Sequence, residues 1–588
     1  MEIGEKMMGT FEVKDAFYLN DKPFKIISGA IHYFRVVPQY WKDRLEKLKA
    51  MGCNTVETYV PWNMHEPYQG SFCFEGMLDV KQFIELAGEL GLWVIVRPSP
   101  YICAEWEFGG LPAWLLKEDN IRLRSSDPKF LGYVKHYYKK LFEILTPLQI
   151  QNGGPIILFQ IENEYGYYGD DTHYLLALKE MMIQEGVKVP LVTSDGPWGD
   201  ALDCGKVEGA LQTANFGSKA KEQFAILREK MPSGPLMCME FWVGWFDHWG
   251  CGKHHTTDYK ANAQDLEDLL QLGSVNIYMF EGGTNFGFMN GANYYDELSP
   301  DVTSYDYDAV LTESGQLTPK YYAFQKVINK FNPLPKVEFT TFIQTKAYGK
   351  LEVKEKVGLF EALEDLSIPV QSTYPQSMER LGQNYGYILY TSHLTKENQL
   401  ESVRLWKAND RAKCYINKKE ILTLYDKDLE KEHQLDMALT PNSELAILVE
   451  NMGRVNFGMR LESQRKGIDG AIQINGHQHT QWNIYPLALE NISQLDFSKG
   501  YSNGLPAFYH FSFEVKELGD TYIDLTGWGK GNVWINGFNL GRFWEIGPQK
   551  RLYLPAPLLH LGENIIIIFE AEGKSLETIY LRDEPGLE

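Results

Sequence analysis

The sequence predicts a multidomain chain: a (β/α)8 TIM barrel followed by two all-β sandwich or jelly-roll domains. Three observations predict it. The 588 residues exceed what one hydrophobic core serves. Up to about residue 330, short and nearly continuous apolar runs alternate with helical patterns, as strands buried on both faces do. Beyond that point the helical patterns stop, and short alternating runs divided by turn residues take over. The expected domains are residues 1–330, 331–475 and 476–588.

The elements follow in order. "FKIISGAIHY" precedes the helical "YWKDRLEKLKAMG", and "CNTVETYV" precedes "MLDVKQFIELAGELG". "LWVIVRPSP", "PIILFQIENE", "VPLVTSDG", "GALQTANFG", "PLMCMEFW" and "VNIYMFEGG" bring the apolar runs to eight. Eight such units fit a barrel with long loops. A doubly wound open sheet is the alternative, but no glycine-rich dinucleotide turn follows the first run. After "FQKVINKFNPLPKVEF" come "YGYILYTSHL", "RAKCYINKKEIL", "ELAILVENMG", "FYHFSFEV", "TYIDLTGWGKGNVWINGFNLG" and "ENIIIIFEAEG", at sandwich-like spacing. The segment after residue 333 is a candidate to add strands to the last module.

Charge excludes some partners. With 57 Lys and Arg against 78 Asp and Glu, the net charge is −21, without a basic block. Nucleic acid and anionic membranes are not expected partners. No run of about 18 apolar residues suggests a membrane span. "MEIGEKMMGTFEVKDAFYL" is charged and has no apolar h-region, so no signal peptide is expected. Seven cysteines without a CxxC pair suit a reducing cytoplasm and argue against structural zinc. The oligomeric state is open, with a homodimer allowed. Aromatics reach 13%, which either large aromatic cores or a sugar-stacking cleft would explain.

The carboxylates lie where a barrel puts chemistry, at the C-terminal ends of strands. "GGPIILFQIENEYG" ends the fourth run with Glu162, Asn163 and Glu164, and "MEFW" ends the seventh with Glu240. Two carboxylates flanking one cleft are the minimal equipment for glycoside hydrolysis. One is held protonated and the other ionised, by different surroundings. Ordinary salt bridges are the competing reading of Glu162 and Glu164. Asn163 can donate to a sugar hydroxyl. Other strand ends supply Tyr59, Trp62, Asn63 and His65, then Tyr101, Ala104 and Glu105, then Tyr278, and finally Tyr307. Glu57 and Asp306 are candidates to support these groups from behind. No metal-ligand spacing such as HExxH occurs. Neither a metal nor another cofactor is expected.

These segments resemble glycoside hydrolase family 35, a family of β-galactosidases. The likeness is dense over roughly residues 20–320 and thinner afterward, where "GRFWEIGPQKRLYLP" resembles the family's C-terminal jelly roll. The resemblance implies that Glu164 is the acid/base and Glu240 the nucleophile. It implies galactose contacts from Tyr59, Ala104, Glu105, Asn163, Tyr278 and Tyr307. Trp242 stands where lysosomal members carry Tyr. With Trp245 it is expected to shape the leaving-group side, as in intracellular bacterial members that favour short β-1,3-linked galactosides. The implied activity is exo-acting, retaining hydrolysis of terminal β-D-galactose. A related glycosidase acting on another β-sugar, such as glucosamine, and a catalytically silent sugar-binding protein are the alternatives.

Overall fold

The computed structural model describes residues 9–305, 307–337, 339, 343–395, 398–458 and 460–587. Asp306 lies outside the described residues. The predicted barrel is present. Its strands are β1 (Ile27–Ile31), β2 (Thr55–Tyr59), β3 (Trp93–Arg97), β4 (Ile156–Gln160), β5 (Leu191–Asp195), β6 (Leu211–Phe216), β7 (Met237–Trp242) and β8 (Ser274–Glu281). They run parallel and close in sequence order, β8 pairing with β1. Every residue of β1, β2, β4, β5, β6 and β8 is buried, which explains the unbroken apolar runs.

Helices follow the strands: Pro38–Ala50, Val80–Glu89, Pro128–Leu145, Thr172–Gln184, Ala201–Cys204, Ala220–Lys230, Tyr259–Leu272 and Pro319–Ile328. Their starts are written in the sequence. Asp79, Asp127, Asp171 and Asp258 each accept hydrogen bonds from backbone N–H groups of the first turn. Pro38, Pro128 and Pro319 stand at the first helical position, where a missing N–H costs nothing.

Two all-β modules follow, each built on two larger sheets. The first pairs a six-stranded sheet, from Val370–Ser372 to Trp482–Leu487, with a four-stranded one. The second holds a five-stranded and a four-stranded sheet. The last barrel helix ends at Ile328, close to the expected division at 330. Strands on both sides of residue 475, however, belong to one sheet system, and the segment after residue 333 adds strands to the last module, as the sequence allowed. Strands Gly349–Glu352 and Glu355–Gly358 pair with Thr578–Arg582 and Ala507–Val515 of the last module. Trp482–Leu487 pairs with Tyr387–Leu394 in the first. Pairing across some ninety residues or more leaves no local mark in sequence.

The modules are tied to the barrel beside the strand ends. Ala292–Tyr294, in the loop after β8, pairs in parallel with Val455–Phe457. Arg454 lies 2.6 Å from Glu107 and 2.5 Å from Glu379, with all three side chains fully buried. Glu107 belongs to the loop after β3, so this ion triad fixes an active-side loop against the first all-β module. Truncating such a buried charge would leave two carboxylates without the guanidinium between them, at about 3–5 kcal/mol.

Candidate active site

A cavity of ≈ 240 Å³ opens at the C-terminal end of the barrel. Glu164 and Glu240 both line it, with Tyr59, Ala104, Glu105, Asn163, Trp242, Trp245 and Tyr278.

Glu240 lies inside β7 rather than at its end. The pairing of β7 with both neighbours shifts register around Cys238–Phe241. Such a bulge re-aims a side chain. The Glu240 carboxylate accepts from three donors: Tyr59 Oη at 2.9 Å, Arg97 Nη2 at 2.6 Å and Trp242 Nε1 at 3.1 Å. A guanidinium and two neutral donors suit a carboxylate that works as an anion.

Glu164 sits four residues beyond β4 in the left-handed region, at φ 46° and ψ 38°. Its Oε1 accepts one hydrogen bond, from Asn215 Nδ2 at 2.9 Å. Burial, and after it the charge of Glu240, push Glu164 up to about 8. It therefore carries a proton at neutral pH, as a general acid must.

The two glutamates of "ENE" part company here. Glu162 points away from the cavity, to Arg124. It takes Nε at 2.7 Å and Nη2 at 2.8 Å, and Tyr174 Oη at 3.1 Å. For Glu162 the ordinary salt bridge is the correct reading. Both residues have positive φ, and a regular strand would have carried their side chains to one face. Between them, Asn163 Oδ1 accepts from Arg97 at 2.5 Å and from Gln160 at 3.2 Å. With that oxygen occupied, the amide nitrogen is the group left for a ligand.

A wall of hydroxyls and carboxylate stands opposite. Tyr305 Oη donates to Glu105 at 2.6 Å and lies 3.1 Å from Tyr278 Oη, a hydroxyl that can donate to it. Burial pushes Glu105 up to about 7. Cys103, Ala104 and Glu105 are three successive non-glycine residues at positive φ, of 56°, 56° and 49°. Arg35 holds this strained loop by donating to the Ala104 carbonyl, while its guanidinium lies 3.9 Å from the Tyr305 ring centroid. Behind Glu240, Glu57 is pushed up to about 7 by burial, which Arg97 opposes. Trp62 and His65 are fully buried, bonded to Glu66 and to Tyr33. Asn63 accepts from Trp106. None of these three lines the cavity.

Tyr307 does not line the cavity; Tyr305 does. The Tyr305 backbone N–H is tied to the Gly283 carbonyl at the end of β8. The chain then turns at 307–308, carrying Tyr307 to His254, with ring centroids 4.1 Å apart.

The mouth is aromatic. Trp242 stacks on Trp198 at 5.8 Å and meets Trp245 edge-on at 5.9 Å. Trp245 is 44% exposed and stacks on Phe246 at 5.1 Å. Phe457, from the first all-β module, closes another side with Tyr295 and Asn293. Sequence reasoning missed Arg97, Tyr305 and Phe457. Arg97 had a signal: one cation ending the apolar run "LWVIV" must find a buried carboxylate. Phe457 had none, because it comes from another domain.

The comparisons bear on the whole chain. The profile "Glycosyl hydrolases family 35" matches residues 16–331. "Beta-galactosidase, first all-beta domain" matches residues 375–488, and "Beta-galactosidase, galactose-binding domain" matches residues 506–564. The chain is 42% identical to "Beta-galactosidase-1-like protein 2" of Homo sapiens, covering 94% of this chain and 88% of that protein. It is 41% identical to the human "Beta-galactosidase", covering 95% and 86%. With the "Beta-galactosidase" of Xanthomonas manihotis it shares 40% identity, covering 93% and 91%. With a barrel that brings two glutamates to one cavity and matches of this extent, the chain belongs to glycosyl hydrolase family 35.

Proposed function

We propose that the chain is an exo-acting, retaining β-galactosidase that releases terminal non-reducing β-D-galactose. The observation that carries this is the unequal treatment of two carboxylates in one cavity. Glu240 accepts from a guanidinium and two neutral donors, whereas Glu164 is pushed up to about 8. In the proposed mechanism Glu240 attacks the anomeric carbon while Glu164 gives its proton to the departing oxygen. A galactosyl-enzyme forms. Glu164, now ionised, takes a proton from water, and that water releases β-galactose with retained configuration. Asn163 donates to a sugar hydroxyl that tightens in the transition state. Tyr59, Ala104, Glu105, Tyr278 and Tyr305 form the proposed galactose surface.

Relatives named beta-galactosidase support the choice of sugar. A panel of aryl β-glycosides tests it. The galactoside should turn over at least tenfold faster than the glucoside, glucosaminide and fucoside, roughly what 1.4 kcal/mol of discrimination gives. Preference for another member of the panel would overturn it.

The exposed tryptophan mouth supports, as a finer proposal, a taste for short β-1,3-linked galactosides, as in intracellular bacterial members of the family. Cytoplasmic residence is also proposed. All seven cysteines are free. A disulfide in protein purified without oxidant would count against it.

A further inference from the structure

We propose that Asp247, Cys251 and His255 form a binding site for a divalent transition metal of the zinc type, in the loop that carries Trp245 and Phe246 to the active-site cavity. Each residue offers one donor atom, and the three donors lie within 4.8 Å of one another. Zinc bonds of about 2.0–2.3 Å place tetrahedral ligands about 3.3–3.8 Å apart. Small side-chain rotations therefore close the set. The donor types are carboxylate, thiol and imidazole, a mixture that suits zinc or cobalt(II) rather than calcium or magnesium.

The loop is built to hold these donors. The Asp247 side chain is 1% exposed, and Oδ1 accepts from the backbone N–H of His255 at 2.9 Å; His255 Nδ1 lies 2.7 Å from the same oxygen, and an entering ion would displace the proton between them. Oδ2 accepts from His254 Nδ1 at 2.7 Å, and the His254 ring packs on Tyr307. A carboxylate anchored by a neighbouring imidazole is the outer support that metal ligands need. The loop is docked on both flanks. The Asp247 carbonyl accepts from Val302, the Trp249 N–H reaches Pro300, and the Gly250 N–H reaches Gly547 of the last module. Cys251 and His255 are exposed, so an ion can enter from solvent and keep an exchangeable fourth ligand. The spacing Asp-x3-Cys-x3-His lies on a loop held by turns at Gly250 and Gly252, both at positive φ. It therefore shares nothing with helical metal motifs such as HExxH.

The test uses the full chain, freed of metal with a chelator and kept reduced with a phosphine. Cobalt(II) is titrated in and the spectrum recorded. The expected result is about one equivalent bound, with a near-ultraviolet thiolate-to-cobalt band. That band should vanish in Cys251→Ser. In His255→Ala the affinity should fall by more than about tenfold. Both substitutions are at exposed positions, so the fold should stand, and unchanged circular dichroism would verify it. An unchanged thiolate band in Cys251→Ser would assign binding to another cysteine and overturn the proposal. So would a wild type with no thiolate band at one equivalent.

Discussion

Arg97 donates from Nη2 to Oε1 of Glu240 at 2.6 Å, with the Arg97 side chain wholly buried. The same guanidinium stands 4.0 Å from Glu57 and orients Asn163. One cation thus serves the proposed nucleophile, its carboxylate neighbour and the amide proposed to meet the sugar.

Arg97→Met should cut kcat/KM on the order of a hundredfold or more, since a preorganised charge partner is lost. It should also lower stability by about 3–5 kcal/mol, by stranding Glu57 and Glu240. The kinetic loss should persist with an activated aryl galactoside, which needs little acid help. Loss confined to poor leaving groups would mean that Arg97 works through Glu164.

Glu164 gives a pH prediction. Its carboxyl is raised from 4.5 to about 8. For a galactoside with a poor leaving group, kcat/KM should fall as pH rises through about 8, as the acid loses its proton. The stability sign follows from the same shift. A raised folded pKa contributes stability that is fully present below 4.5 and is lost as pH rises through about 8. Glu164→Gln should therefore gain on the wild type from pH 4.5 upward and level off above about 8, by a few kcal/mol in order of magnitude. Thermal melts across that range check it. A difference independent of pH would remove the elevated acid from the account.

Glu162→Ala should behave as a structural lesion. It strands Arg124, which is buried against Glu162 at 2.7 Å. The expected cost is about 3–5 kcal/mol, with no rescue of turnover by azide. Azide rescue in this variant would reverse the roles of the two "ENE" glutamates.

The aromatic mouth separates into two probes. Trp245 stands at the rim, 44% exposed, while Trp242 donates to Glu240 at 3.1 Å. Trp245→Ala should harm a disaccharide roughly tenfold more than an activated aryl galactoside, from about 1 kcal/mol of stacking. Trp242→Ala should harm both. Equal losses on both substrates in Trp245→Ala would make Trp245 a packing residue.

Much of this was legible in the sequence because it is local. Buried parallel strands write continuous apolar runs, and aspartates and prolines mark helix starts. "ENE" announced costly carboxylates at a strand end. What the sequence could not say depended on backbone excursions and distant pairing. The left-handed turns at Glu162 and Glu164 decide which glutamate faces the cavity. The turn after Tyr305 decides which tyrosine lines it. Strands at 349–358 join a module whose other strands lie more than a hundred residues further on, and Phe457 reaches the site from another domain.

The assignment of Glu240 as nucleophile and Glu164 as acid/base is tested most directly by the configuration of azide products, read from the anomeric coupling constant by NMR. Glu240→Ala removes the attacking oxygen, and azide entering the vacated space should give the α-galactosyl azide, inverted once. Glu164→Ala keeps the nucleophile but stalls for want of a base, and an activated aryl galactoside should show a burst. Azide needs no base, so there it should give the β-galactosyl azide, inverted twice. The expected products are α from Glu240→Ala and β from Glu164→Ala; the opposite pairing would contradict the assignment.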